Sequence, residues 1–273
     1  MSGTTMKVGD ATVRYRTLGS GPGIIFVHGT GPGSVNWEGF VERFTDRYTV
    51  ILPDLSGSDP VEDDGAPLSE EMLAQQVAAV IEDAGLGAVD VVGHSLGAVV
   101  VTTLAATRPD LVRRLIPVSG WSRTDDDEQL RHSLKLSLEL ADRPKAFARY
   151  AMLTAFSRDF LQRIGREAVD ELAGGFVPNA GRVRQYQLNE RVSIDHLLPQ
   201  ITAPTLVIGC TRDNLIPVEN ARALHAGIPG STYAEIDSGH VPHAERPDEA
   251  ANLISDFLTQ PSAATPANPT PAS

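Results

Sequence analysis

Residues 89 to 98 read V-D-V-V-G-H-S-L-G-A, an apolar run that ends in a serine held between two glycines and leads directly into more small apolar residues. The first half has the composition of a buried strand. The second half continues as Ala98-Val99-Val100-Val101-Thr102-Thr103-Leu104-Ala105, a pattern suited to a buried helix. A chain that passes so quickly from strand to helix must turn tightly, and its backbone then crowds neighbouring elements. Gly93 and Gly97 remove the side chains that would clash there. A serine that only capped the helix would not need a glycine two positions away on each side. The spacing predicts a turn that thrusts Ser95 above a sheet, beside the unpaired N–H groups of a helix start.

The chain around this turn repeats the same alternation of short apolar runs and longer amphipathic ones, the mark of a parallel sheet with helical crossovers. Strands are expected at Ile24 to Val27, Thr49 to Leu52, Val89 to Val92, Arg114 to Val118, Thr205 to Ile208 and Thr232 to Ile236. Thr4 to Val8 and Ala11 to Thr17 flank Gly9-Asp10, a two-residue turn signal, so an antiparallel hairpin opens the chain. The result is a mixed sheet of about eight strands. Between Ser122 and Leu198 the strand pattern stops, and helical segments such as Glu128 to Leu140 and Ala146 to Phe156 replace it. The run Asp125-Asp126-Asp127-Glu128 reads as a solvated helix start behind Thr124 rather than a metal site. The last stretch, 261–273, is rich in Pro, Ala and Thr with nothing large to bury, and is expected to be disordered.

With 273 residues, of which 41% are hydrophobic and 21% charged, the chain can bury a substantial core. Its 23 basic against 35 acidic residues give a net charge of −12, which argues against nucleic acid as a partner. The single cysteine, Cys210, cannot form an internal disulfide. No leader pattern or membrane-spanning run is evident, so a cytosolic protein is expected, with self-association left open.

A serine hydroxyl is a poor nucleophile at neutral pH and needs a base, and the base needs an orienting acid. The base is expected on a loop after the last strand, where His240 sits in I-D-S-G-H-V-P-H-A-E with Gly239 to let the loop turn. His243, at the start of the closing helix, reads as structural or pocket-lining. The acid is expected after another strand, and T-L-V-I-G-C-T-R-D places Asp213 there. The developing oxyanion needs two donors: the backbone N–H of Leu96 and one from the glycine-rich run F-V-H-G-T-G-P-G-S, assigned to Thr30. That run departs from G-x-G-x-x-G and has no Lys-Ser or Lys-Thr after it, which disfavours a nucleotide site.

Together, H-G-T-G-P-G at 28 to 33, P-D-L-S-G-S at 53 to 58, G-H-S-L-G at 93 to 97, G-C-T-R-D at 209 to 213 and S-G-H-V-P-H-A-E-R-P at 238 to 247 resemble the α/β-hydrolase superfamily. The resemblance covers residues 4 to about 258. It implies an α/β fold, a mostly parallel eight-stranded sheet with helices on both faces. The core would be residues 1–121 and 197–260, with a helical cap at 122–196. It also implies that His28 orders the oxyanion loop. The H-G-x-G-P-G form with Trp37 downstream is similar to the subgroup that hydrolyses carbon–carbon bonds. That subgroup has tryptophan where this chain has Val241, and arginine where it has Ser56.

The implied activity is hydrolysis of an ester, lactone, thioester or activated carbon–carbon bond in a small hydrophobic substrate, without metal or organic cofactor. The alternatives are a non-hydrolytic enzyme on the same scaffold and a ligand-binding module. Candidate lining residues are Trp121, Val241, Met152, Phe156 and Phe160.

Overall fold

The computed structural model describes residues 3–260; Met1, Ser2 and the tail at 261–273, including its expected disorder, lie outside the described residues. The chain opens with β1 (Gly3–Val8) and β2 (Ala11–Gly19), joined through Gly9, whose φ of 59° suits a two-residue hairpin turn. There follow β3 (Gly23–Val27), β4 (Thr49–Asp54), helix α1 (Glu70–Ala84), β5 (Val89–His94), α2 (Leu96–Thr107) and β6 (Val112–Val118). Four helices come next: α3 (Glu128–Glu139), α4 (Pro144–Ala155), α5 (Arg158–Gly174) and α6 (Ala180–Asn189). The chain then returns through β7 (Leu206–Cys210), α7 (Val218–Gly227), β8 (Thr232–Ile236), α8 (Pro242–Glu245) and α9 (Pro247–Thr259). Pro247 separates α8 from α9, so His243 belongs to a short helix of its own rather than to the closing one.

The eight strands form one sheet in the order β1-β2-β4-β3-β5-β6-β7-β8, antiparallel at β1/β2 and β2/β4 and parallel elsewhere. Strand alternation sends Ile25, Val27, Val89 and Val91 to one face, where they pack under α1 and α2, and Ile24, Phe26 and Val92 to the other. On that second face Trp37, Phe40 and Phe44 join Ile254 and Phe257 of α9. Both faces are therefore buried, which is why the central strands read as continuous apolar runs.

Sheet order also fixes where a site can form. From β3 the chain goes to β4 on one side, then crosses to β5 on the other, so the loops leaving β3 and β5 diverge and open a crevice at their carboxyl ends. The glycine-rich loop and Ser95 occupy those two ends.

The α3–α6 segment is inserted between β6 and β7 on two stems that pair with each other. Thr124 N–H donates to Val192 O and Ile194 N–H to Ser122 O, at 3.1 and 2.8 Å. The α3 cap differs from expectation. Asp127 accepts from Leu130 N–H at 2.9 Å, whereas Thr124 is fully buried, accepts from Trp121 Nε1 and donates to Asn189 O. A carboxylate one position before the helix reaches its free N–H groups, and Thr124 is committed to the stem. Among the described residues no helix is long and apolar enough to cross a membrane.

Asp90, on β5, is 1% exposed and accepts from Arg113 Nε and one of its terminal nitrogens at 2.9 and 2.6 Å, and from Arg114 at 3.3 Å. Removing the carboxylate leaves two guanidinium groups that are only partly buried, so water recovers some of the loss. Asp90→Ala is expected to lower unfolding free energy by about 2 kcal/mol in urea titrations.

Candidate active site

Ser95 takes φ 56° and ψ −123°, a left-hand conformation that a residue with a β-carbon adopts only where its surroundings force it. Those surroundings are backbone. A Cβ on Gly97 would lie 2.3 Å from Val27 O and 2.6 Å from His28 O, and one on Gly93 would lie 2.3 Å from Gly97 O. The end of β5, the start of α2 and the loop after β3 thus touch with no room for a methyl group. Ser95 stands at the N-cap of α2, yet its side chain makes no capping bond. Its Oγ instead faces His240 Nε2 at 2.9 Å.

His240 Nδ1 donates to Asp213 Oδ2 at 2.7 Å, and Asp213 Oδ1 accepts from the N–H groups of Leu215 and Ile216 at 2.9 and 2.8 Å. All three side chains are buried, Ser95 at 6%, Asp213 at 7% and His240 at 4% exposure, so bulk water does not compete for these bonds. The His240 backbone is held on both sides: its N–H donates to Ala155 O at 2.8 Å, and its carbonyl accepts from His94 Nε2 at 2.8 Å. Gly239 serves close approach rather than turning. A Cβ there would meet Glu245 Oε1 at 2.5 Å and Ser157 N at 2.6 Å.

The glycine-rich loop is tied down from several directions. His28 Nδ1 donates to Gly29 O at 2.7 Å, and its Nε2 accepts from Leu55 N–H at 3.0 Å, which fixes a neutral tautomer. Ser34 N–H donates to Asp54 Oδ1 at 2.7 Å. Gln185 of α6 accepts from Gly31 N–H at 3.0 Å, and Asn189, one turn later, donates to Thr30 Oγ1 at 2.9 Å. Among the described residues the N–H groups of Thr30 and Leu96 have no hydrogen-bond partner within the protein. Ser56 exchanges two bonds with Gln76, at 3.0 and 2.8 Å, and its carbonyl accepts from Gln185 at 3.1 Å.

Burial sets the charge of the surrounding imidazoles. His28 is pushed below its ordinary range by burial, and His94 well below it by burial and by the neighbouring His240 and His243. His243 is pushed down to about 3, by burial first and His240 second; its ring lies 4.4 Å from that of Trp37. These rings are neutral, apolar-faced walls. The Cys210 thiol is pushed up to about 12 by burial, which leaves it inert as a nucleophile.

A cavity of about 380 Å³ opens over Ser95, between the sheet and α3–α6. Of the residues expected to line it, Val241, Phe156 and Phe160 do, the two phenyl rings stacked at 5.2 Å. Trp121 does not: it is fully buried in the core beneath α2, with its indole N–H on Thr124. Met152 does not line it either. On α4 the positions 147, 150, 151, 154 and 155 face the cavity, and residue 152 lies about 100° further round the helix, where it packs against Phe156 and Phe160. The sequence reading missed Phe147 and Tyr150 of α4 and Tyr186 and Asn189 of α6. Their helical spacing was visible, but the face that would meet Ser95 was not.

The model of the alpha/beta hydrolase family matches residues 24–253. The pyrrolizixenacetamide deacetylase of Xenorhabdus hominickii is 38% identical over 258 residues, covering 93% of this chain and 97% of that protein. The putative carbamate hydrolase RutD of Azorhizobium caulinodans is 28% identical over 253 residues, covering 91% and 96%. Among solved structures, MGS-M2, an alpha/beta hydrolase enzyme from a Medee basin deep-sea metagenome library, superposes with a TM-score of 0.88 at 18% identity, covering 96% of this chain and all of that one.

Three buried imidazoles that refuse a proton make acid stability testable. Below pH 6.5 the unfolded chain binds protons that the folded state rejects, so stability falls as pH drops, by about 1.4 kcal/mol per unit for each ring. For His243 this window runs from 6.5 to about 3. Urea titrations between pH 7 and 4 are expected to show a shallower acid slope for His243→Phe than for wild type.

Proposed function

The chain belongs to the alpha/beta hydrolase family, and from that premise we propose that it is a serine hydrolase working through an acyl-enzyme on Ser95. The observation that carries this reading is the hydrogen-bonded line Ser95–His240–Asp213 at the floor of the cavity. His240 Nε2 takes the Ser95 proton as Oγ bonds to the substrate carbonyl carbon. Asp213 holds the Nδ1–H tautomer and stabilises the imidazolium that forms. The negative oxygen of the tetrahedral species is received by the N–H groups of Leu96 and Thr30, at the positive end of α2. The carbonyl re-forms, the leaving group departs with the proton from Nε2, and water releases the acyl group by the same proton path.

Residues 122–196 act as the cap that closes the cavity. The walls suggest the substrate. Phe147, Phe156, Phe160, Phe176 and Val241 give apolar surface, the nearby histidines are neutral, and Arg182 is held by two carbonyls and Asp59. Such a site suits a small uncharged acyl compound. The names of two relatives, a deacetylase and a putative carbamate hydrolase, support adding amides and carbamates to esters and lactones as candidate substrates.

Covalent labelling by a fluorophosphonate is expected to map to Ser95. A panel of p-nitrophenyl esters, lactones, N-acetyl amides and carbamates is expected to contain a substrate that Ser95→Ala processes at least about 10⁴-fold more slowly. Labelling elsewhere, or equal turnover by Ser95→Ala, would sink the reading. Asp213→Asn is expected to lower kcat by about 10⁴-fold while leaving KM within a few-fold.

A further inference from the structure

The inserted helices touch the loop after β3 through side chains one turn apart on α6. Gln185 is fully buried, and both halves of its amide are used: Oε1 accepts from Gly31 N–H at 3.0 Å, and Nε2 donates to Ser56 O at 3.1 Å. Its amide orientation is therefore fixed by its partners. Asn189 follows at i+4, on the same face of the helix, and holds Thr30 Oγ1 at 2.9 Å. Two consecutive loop residues are thus gripped by two side chains of one helix. The backbone is packed as tightly. A Cβ on Gly57 would lie 2.7 Å from Gln185 Cγ, and one on Gly181 would lie 2.5 Å from Gly57 O. Glycine on both sides lets α6 seat directly on the loop after β4.

Of the neighbouring N–H groups at 30 and 31, that of Gly31 is taken by Gln185 while that of Thr30 has no partner within the protein. The Gly31 bond fixes the peptide plane next to the free donor. Asn189 fixes Thr30 from its side chain, and does so although its own Oδ1 is buried without a partner, a cost that a residue serving only packing would avoid. His28 and Asp54 hold the loop at Gly29 O and Ser34 N–H, and the residues between, Thr30 and Gly31, are held by Asn189 and Gln185.

We propose that Gln185 and Asn189 are positioning residues that aim the Thr30 N–H at the transition-state oxygen, so that docking of α6 completes the oxyanion site. The inference rests on the serine-hydrolase reading above. In its terms the cap is part of the catalytic apparatus and not only a cover: a displacement of α6 that leaves Ser95, His240 and Asp213 untouched still loosens one of the two oxyanion donors. Because the oxygen carries full charge only in the tetrahedral species, the loss falls on kcat and not on substrate binding.

The test compares wild type with Gln185→Met, which keeps the volume and loses the acceptor, and with Asn189→Ala. Three quantities are measured on p-nitrophenyl acetate or the best ester of the panel: kcat, KM, and the inhibition constant of an aryl trifluoromethyl ketone, whose adduct with Ser95 carries an oxyanion. Thermal melting follows folding. Gln185→Met is expected to lower kcat and weaken the ketone together, by about 10- to 100-fold, with KM within about threefold. Gln185→Glu retains an acceptor for Gly31 and is expected to recover part of both, more at acidic pH, where a protonated carboxyl can also donate to Ser56 O. Asn189→Ala is expected to shift both in the same direction by a smaller factor, and decides the matter if Gln185→Met fails to fold. A folded variant with kcat and ketone affinity equal to wild type, or one in which KM rises while the ketone is unaffected, would overturn the proposal and leave the serine-hydrolase reading intact. A wild-type enzyme that forms no ketone adduct would overturn both.

Discussion

The structure depends on a backbone contact in which no side chain takes part. Gly97 lies against the carbonyls of Val27 and His28, and Gly93 against the carbonyl of Gly97, so the ends of β3 and β5 and the start of α2 meet at one point. That contact forces Ser95 into its left-hand conformation and leaves the first N–H groups of α2 beside its hydroxyl. The strain at one residue is borne by the sheet, whose β3 and β5 pair in parallel from Ile24 to Val27 and are buried on both faces. A site built on rigid strand ends holds its geometry better than one built on loops alone.

The elements that complete the site come from elsewhere in the chain and are fastened by polar bonds rather than by packing. His240 is clamped between Ala155 O and His94 Nε2, and the glycine-rich loop between His28 and Gln185. The bonds from Ala155, His94 and Gln185 join groups far apart in sequence, and they lie where little water competes for them. Ser157 and Glu245 add a third tie: the buried carboxylate accepts from Ser157 N–H and Oγ at 2.8 and 2.5 Å, where α5 begins. The inserted helices are thereby bonded to the loops on both sides of Ser95. The neutral histidines around them follow from the same dryness, because a charged ring in that setting would lose its hydration; even at His28 burial outweighs the nearby Asp54 carboxylate.

Several features were legible because one local rule decided them. The strands follow from apolar runs, the hairpin from Gly9-Asp10, and the elbow from the glycine spacing. The chain order of Ser95, Asp213 and His240 located three side chains that the structure brings within hydrogen-bonding distance. Met152, Trp121 and Thr124 depart from expectation for two different reasons. Met152 is on α4, where a shift of one residue turns a side chain by about 100° and exchanges cavity for core, whereas Trp121 and Thr124 lie in the stem before α3, where the hydrogen bond between them and a second to Asn189 O decide their place. Trp121 looked exposed to substrate because it follows a strand end, yet its indole N–H finds Thr124 and its ring finds the core. Gln185 carried no signal at all, since a glutamine in the middle of a polar helix is ordinary until its partner 154 residues away is known.

By itself the sequence determined the sheet, the turn that presents Ser95 and the family resemblance, since these rest on periodicity, on glycine at fixed spacing and on residue types that only a few arrangements can use. Tertiary structure alone decided which helix faces line the cavity, which ring nitrogens carry protons and which side chains hold the glycine-rich loop. Those outcomes depend on burial and on hydrogen-bond partners distant in the chain. A partner's identity is fixed only when the backbone has closed around it.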